Sequence, residues 1–257
     1  MGELIEVDET RPIRLAQGNP TMSTPHTMSA YERELTRLED LVLGMGLYGI
    51  SQLERAMLAL QGRDSAVAAS VIAGDIREDT LESEVDDLAV RLIALRQPVA
   101  SDLRQVTCAF KAAVHLERIG DYAVHVAKRS LALPSDFPAA NLLSIPRMGD
   151  LTLKMLRDTI RAYREKDLNL AVETWRSDEA LDAVTTVLLR EIVTFMKDDP
   201  KAIDAGTHLM FIAKNLERVG DQATNICELI YYRISGNHLP RERPKIDGLL
   251  PTGSTTA

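Results

Sequence analysis

The sequence predicts an all-α protein built as two tandem three-helix bundles, and three observations carry that expectation. Aromatic residues are only 4% of the chain and glycines number 14, while Ala, Leu, Arg, Glu and Asp abound, a balance that favours helices over a sandwich or barrel. Apolar residues recur three and four apart over long segments, the period of one helix face. The stretch LERIGD at 116–121 returns as LERVGD at 216–221. With 257 residues and 45% apolar content the chain can bury one large core or two smaller ones, and the repetition selects two.

The repeat extends well beyond six residues. Met45, Gly46, Asp64, Asp75 and Asp79 fall on Met148, Gly149, Asp167, Asp178 and Asp182 at an offset of 103. Pro98 matches Pro200, and Glu117 and Asp121 match Glu217 and Asp221 at an offset of 100, the drift that short indels at turns produce. A unit of this length exceeds the usual solenoid periods and indicates two domains in tandem. The chain divides into an N-terminal tail (1–28), a first bundle (29–133), a linker (134–143), a second bundle (144–236) and a C-terminal tail (237–257).

In the first unit a helix from Tyr31 to Leu60 ends at QGRD, where Gly62 suits a C-terminal cap and Asp64 the N-cap of the next helix. The second helix runs from Asp64 to about Arg96. Pro98 marks the turn, since proline near a helix start forfeits no hydrogen bond, and the third helix continues to about Leu131. LPSDFPAAN then breaks the pattern, and helices near 144–164, 167–198 and 201–235 repeat the plan. Val67, Val71, Gly74, Leu81, Val85, Leu88, Leu92 and Leu95 form one core stripe; Leu209, Ile212, Leu216, Val219, Ala223, Ile226 and Ile230 form another. Three helices joined by short turns bury such stripes only against one another. GMGLYG at 44–49 puts three glycines inside the first helix at about 2–3 kcal/mol relative to alanine, which requires either a bend or the close packing of another backbone.

Composition also narrows function. A net charge of -8 and the lack of a basic stripe with interleaved aromatics disfavour nucleic acid and favour cations or basic partner surfaces. Cys108 and Cys227 stand without CxxC spacing, so they read as core thiols of a reducing cytosol. The N-terminus lacks a secretory pattern, and the apolar run LVLGMGLYGI is about half of what a bilayer needs, so a soluble, cytoplasmic protein is expected.

The acids carry the chemistry. Asp75 and Asp79 are four apart, as are Glu117 and Asp121, so each pair projects from one helix face. From Asp79 to the turn before Pro98 is about 18 residues and from Pro98 to Glu117 is 19, so the two arms climb and return about 27 Å and bring both pairs to one level. Asp178, Asp182, Glu217 and Asp221 repeat the coincidence. Four gathered carboxylates need either a hard cation (Mg, Mn, Ca or iron) or arginines, for which Arg118 and Arg218 are at hand. All the acids sit one position off the apolar stripes, which implies a shallow site at the bundle edge. His125 and its counterpart Asn225 are further ligands or outer contacts, although a plain polar residue is the simpler reading of His125. Glu78, Glu82 and Asp86 extend the acidic surface and read mainly as solvated charge, with a metal role as the lesser alternative.

RQPVASDLRQV, HLERIGDYAVHVAKRS and NLERVGDQATNICELIYY together resemble the tandem signature of the PhoU family of bacterial phosphate-signalling regulators, over roughly residues 28–236. The resemblance implies two three-helix bundles and a non-catalytic adaptor. Such an adaptor restrains the phosphate-starvation response and phosphate uptake when phosphate is abundant. It links the Pst phosphate ABC transporter, through its ATPase PstB, to the sensor kinase PhoR, and reaches the membrane only through partners. It also implies metal, with Fe, Zn, Mn or Mg held by the E/D-x-x-x-D pairs, here Asp75, Asp79, Glu117 and Asp121, then Asp178, Asp182, Glu217 and Asp221. Asn225 agrees with the family pattern and His125 departs from it, so the two sites differ. Paired bundles of this kind are expected to form a homodimer. A carboxylate-bridged metal enzyme is the alternative, but its Glu-x-x-His pairs are missing: none of His26, His115, His125, His208 and His238 lies three residues after a Glu. A metal-free interaction adaptor is the third reading.

Overall fold

In the computed structural model the described residues are 25–134, 137 and 142–240. Both expected tails lie largely outside them, as does most of the linker. The first repeat holds α1 (Pro25–Gly62), α2 (Ser65–Ala73), α3 (Asp75–Arg96) and α4 (Ala100–Ala132). The second holds α5 (Ile145–Glu165), α6 (Leu168–Asp198) and, after a 3₁₀ turn at Pro200–Ala202, α7 (Ile203–Ser235). The all-α architecture of two tandem bundles is as predicted. Asp64 caps α2 by accepting the Ala66 and Val67 backbone N–H groups, and its counterpart Asp167 accepts that of Leu170. Asp199 caps the 3₁₀ turn in the same way through Lys201.

Three expectations about elements need correction. The first helix starts at Pro25, ahead of Tyr31. The helix expected to run unbroken from Asp64 to Arg96 is interrupted at Gly74. There Tyr48 Oη donates to the Gly74 carbonyl at 2.9 Å and Gln52 Nε2 to the Val71 carbonyl at 3.1 Å, so two side chains of α1 intrude on the backbone ladder. The corresponding positions in the second repeat are Leu151, Met155 and Ser177, and with no amide or phenol to intrude α6 is continuous. Leu95, placed on the core stripe, is 73% exposed, because at that level Arg96 turns inward to pair with Glu34 of α1 at 2.9 Å. The rest of the stripe from Val85 to Leu92 is buried, as are all seven residues of the α7 stripe.

The glycine run in α1 corrects a further expectation: at Gly46 the close neighbour is a side chain rather than another backbone, and Gly44 has no close neighbour among the described residues. The helix passes through 44–49 without a break. Gly46 receives the side chain of Ile160 from α5, and Gly149 receives that of Met57 from α1. Under the offset of 103 these are reciprocal positions, 46 with 149 and 57 with 160, so an approximate two-fold axis relates α1 and α5. The repeats also meet through α4 and α7, where His115 Nδ1 and Gln222 Oε1 lie 2.8 Å apart. Arg233 of α7 pairs with Glu39 of α1 and lies over the Tyr163 ring of α5. Arg63 donates to the Ser130, Leu133 and Pro134 carbonyls and so closes the C-terminus of α4. Phe137, from the expected linker, is buried and meets Phe195 edge-on at 6.3 Å. Both cysteines are buried and free, and among the described residues no helix is long and apolar enough to cross a membrane.

Candidate metal site

The break at Gly74 makes Asp75 the first residue of α3, and Asp79 follows one turn later. Glu117 and Asp121 come from the middle of α4, which packs alongside. The predicted coincidence of level holds in the first repeat. Burial raises the Asp75 pKa, and the negative charges of Asp121 and Asp79 add to it, opposed by Lys128 and His125. Glu117 is pushed up to about 7, first by burial and then by Asp121, Glu82 and Asp79. In the second repeat burial raises Asp182, with Glu217 the next cause, and Asp221 is raised by burial, then by Glu217 and Asp182.

Depth is where expectation and structure part. Asp178 is 3% exposed, on the inner side of α6 rather than at a shallow edge, with Oδ1 3.4 Å from where a Cβ on Gly220 would stand. Glu78, read from sequence as a solvated charge, is 2% exposed. Its stem crosses α4 at Gly120, whose missing Cβ would sit 3.1 Å from the Glu78 Cγ. Neither Glu78 Oε1 nor Oε2 has a hydrogen-bond partner, and burial, reinforced by Glu117, pushes its pKa up to about 8. Glu82 is half-buried and raised by burial, then by Asp86, while Asp86 leaves Oδ1 buried and unpartnered, so neither is simply solvated. The signal for Glu78 lay in the apolar stripe itself. Position 78 is seven residues from both Val71 and Val85, and the repeat places the fully buried Leu181 there.

The two repeats therefore differ. The second lacks the counterparts of Glu78 and Glu82, having Leu181 and Thr185, although Glu179 stands where the first has Ile76. It also carries Lys214 in place of Val114, and Lys214 Nζ lies 2.5 Å from Glu217 Oε2. That lysine, missed by sequence reasoning, is the cation paired with the motif acids of the second repeat, and at Asp221 its charge counts ahead of that of Arg218. Arg118 and Arg218 form no ion pair among the described residues; Arg218 instead lies over the Tyr122 ring at 5.9 Å. His125 is exposed, beside Tyr122, and is among the groups acting on Asp75. Asn225 is half-buried and lines a groove between α4 and α7 with Lys111, His115 and Glu228.

An all-oxygen donor set suits Mg, Mn or Fe better than a tetrahedral zinc site of Cys and His. The unpartnered oxygens of Glu78 are what a cation would satisfy. Among the described residues no three Asp, Glu, His or Cys side chains already converge on one point, so binding requires the rim carboxylates to change rotamer.

A duplicated three-helix unit, with paired acids at one level of its second and third helices in each copy, defines a tandem-repeat helical protein whose reactive groups lie along helix faces. The profile of the PhoU domain matches it twice, over residues 42–130 and 145–230. The phosphate-specific transport system accessory protein PhoU homolog of Caulobacter vibrioides (strain NA1000 / CB15N) is 45% identical over 227 residues, covering 88% of this chain and 99% of that one. Its counterpart in Xylella fastidiosa (strain 9a5c) is 38% identical over 86% of this chain and 94% of its own. Among solved structures, PhoU from Pseudomonas aeruginosa superimposes with a TM-score of 0.76 at 34% identity, covering 80% of this chain and all 100% of that one. The phosphate transport system regulatory protein PhoU from Streptococcus pneumoniae gives 0.76 at 32% identity, covering 82% and 99%. The chain belongs to the PhoU family.

Proposed function

We propose that this protein is a cytoplasmic, non-catalytic negative regulator of the phosphate-starvation response and of phosphate uptake. It acts as an adaptor between the ATPase subunit PstB of the Pst transporter and the sensor kinase PhoR when phosphate is abundant. The observation that carries the reading is the recurrence of paired acids at one level of adjacent helices in both repeats, in a chain 45% identical almost throughout to a phosphate-transport accessory protein. A chain with a net charge of -8 is suited to basic partner surfaces, and the reading includes a homodimer.

Metal belongs to the same proposal. Asp75, Asp79, Glu117 and Asp121 would hold one site, and Asp178, Asp182, Glu217 and Asp221 the other, with Fe, Mn, Mg or Zn as the cation. A bound cation supplies positive charge that lets neighbouring carboxylates approach and so pins the second and third helices of a repeat in one register. The residues themselves present an acidic face on two packed helices.

The test is a phosphate-starvation reporter in the native host, in phosphate-replete medium, with the gene depleted and then restored. Derepression on depletion and its reversal on restoration are expected. A silent reporter with unaltered phosphate uptake would overturn the assignment and favour a carboxylate-bridged metal enzyme.

A further inference from the structure

The two acidic faces are not equivalent, and the difference centres on one side chain. Where the second repeat buries Leu181, the first buries Glu78, with two carboxylate oxygens that bond to nothing. A leucine-sized position in a helical core is the least favourable place for a carboxylate that has no partner. The side chain lies over Gly120, one turn from Glu117 and next to Asp121 on α4, and it is one residue from Asp79 on α3. Its oxygens thus end beneath the rim acids of the first repeat. The second repeat has Leu181 at this position; its own buried acid, Asp178, which is not left unpartnered as Glu78 is, lies against the matching Gly220, and Lys214 stands against Glu217.

We propose that Glu78 is the inner ligand of a hard divalent cation bound in the first repeat, with Glu117, Asp79 and Asp121 closing on it from the rim, and that this repeat binds the cation more tightly than the second. The inference rests on the metal reading above and adds the inner ligand and the inequality of the two sites. Glu78 supplies two oxygens from below, and the half-exposed Glu117 and Asp121 and the exposed Asp79 supply others after rotamer changes. In the second repeat the Lys214 ammonium takes the place of the cation's charge at Glu217.

The test uses the full chain freed of metal with EDTA, Mn²⁺ as the probe, and calorimetric titration together with thermal melting as readouts. The comparison set is wild type, Glu78→Leu, which copies the second repeat, and Glu78→Gln, which keeps the shape without the charge. Mn²⁺ is expected to bind the wild type and raise its Tm. Glu78→Leu should melt higher than wild type without metal, because an unsatisfied carboxylate is gone. It should also bind Mn²⁺ at least tenfold more weakly at its tighter site and lose most of the Mn²⁺-induced rise. Glu78→Gln should show the same loss of affinity, whereas Glu217→Gln should leave the tighter site unchanged. A wild type that takes up no Mn²⁺ overturns both this inference and the metal reading. Mn²⁺ binding that survives Glu78→Leu and Glu78→Gln but falls in Asp121→Asn overturns the role of Glu78 alone. Tighter binding that follows Glu217 rather than Glu78 overturns the inequality.

Discussion

Glu54 of α1 and Arg157 of α5 occupy the same position in the two repeats and pair with each other, Arg157 Nη2 lying 2.5 Å from Glu54 Oε1. Equivalent residues meet in this way only near a two-fold axis. The pair itself is exposed and contributes little, so the energy of this contact lies one turn away in the seating of Ile160 on Gly46 and of Met57 on Gly149. Gly46→Ala gains about 1 kcal/mol of helix propensity but forces a methyl into the Ile160 side chain, an overpacking that costs about 1–3 kcal/mol. A net loss of about 1 kcal/mol is expected in urea unfolding. Adding Ile160→Val should recover most of it; an unchanged midpoint in Gly46→Ala would show that α5 is free to shift.

The break between α2 and α3 tests a second local cause. Gln52→Met and Tyr48→Phe remove the side chains that reach the Val71 and Gly74 carbonyls, and each should cost about 1 kcal/mol. Amide exchange at residues 71–77 should slow in both, because the freed Val71 and Gly74 carbonyls can again accept from the backbone. If exchange there is unchanged, the interruption is set by Gly74 itself and not by the intruding groups.

Much of this fold was legible because its signals are local and periodic. The α7 stripe, the Asp64 and Asp167 caps and the prolines at the turns each follow from spacing of a few residues. The level of the acids followed from counting along two arms of equal length. What escaped depended on partners distant in sequence: Tyr48 and Gln52 on the backbone at Gly74, Ile160 on Gly46, and Arg96 turning in to meet Glu34. Glu78 escaped for another reason. Its residue type spoke for solvent while its position in the stripe spoke for the core, and position prevailed.

Stability of the metal-free protein should fall as pH rises. Glu78 has a folded pKa of about 8 against an ordinary 4.5, so between those values the native state keeps a proton that the unfolded chain has released. Its contribution is therefore full below about pH 4.5 and is lost as pH rises through about 8. Glu117, at about 7, acts in the same direction but is half-exposed and better screened. In EDTA, unfolding free energy should drop by on the order of 2 kcal/mol between pH 5 and pH 8. Glu78→Leu should flatten most of that slope, and a slope that persists in Glu78→Leu assigns it to the rim acids.

The thiols should be inert in the native state. Burial pushes Cys108 up to about 11 and Cys227 up to about 12, so little thiolate exists at pH 8, and both residues are buried. Alkylation by iodoacetamide at pH 8 should be at least roughly tenfold slower in native than in urea-unfolded protein. Rapid native labelling of Cys227 would mean that α5 and α7 part at low cost, since Cys227 is packed against Thr159 of α5.

The acidic face of the second repeat offers the cleanest test of partner binding, because Lys214 already holds Glu217 without any metal. Asp221→Lys and Glu217→Lys reverse charge on the outer side of α7, on which the core stripe from Leu209 to Ile230 faces the other way. Helicity by circular dichroism should be unchanged in both. If this face meets a basic surface of the transporter ATPase, each variant should bind that subunit about tenfold more weakly, chiefly through a slower association that high salt makes equal to wild type. Binding that is unchanged at low salt would remove the second repeat's acids from the interface and leave the face of the first repeat as the one that docks.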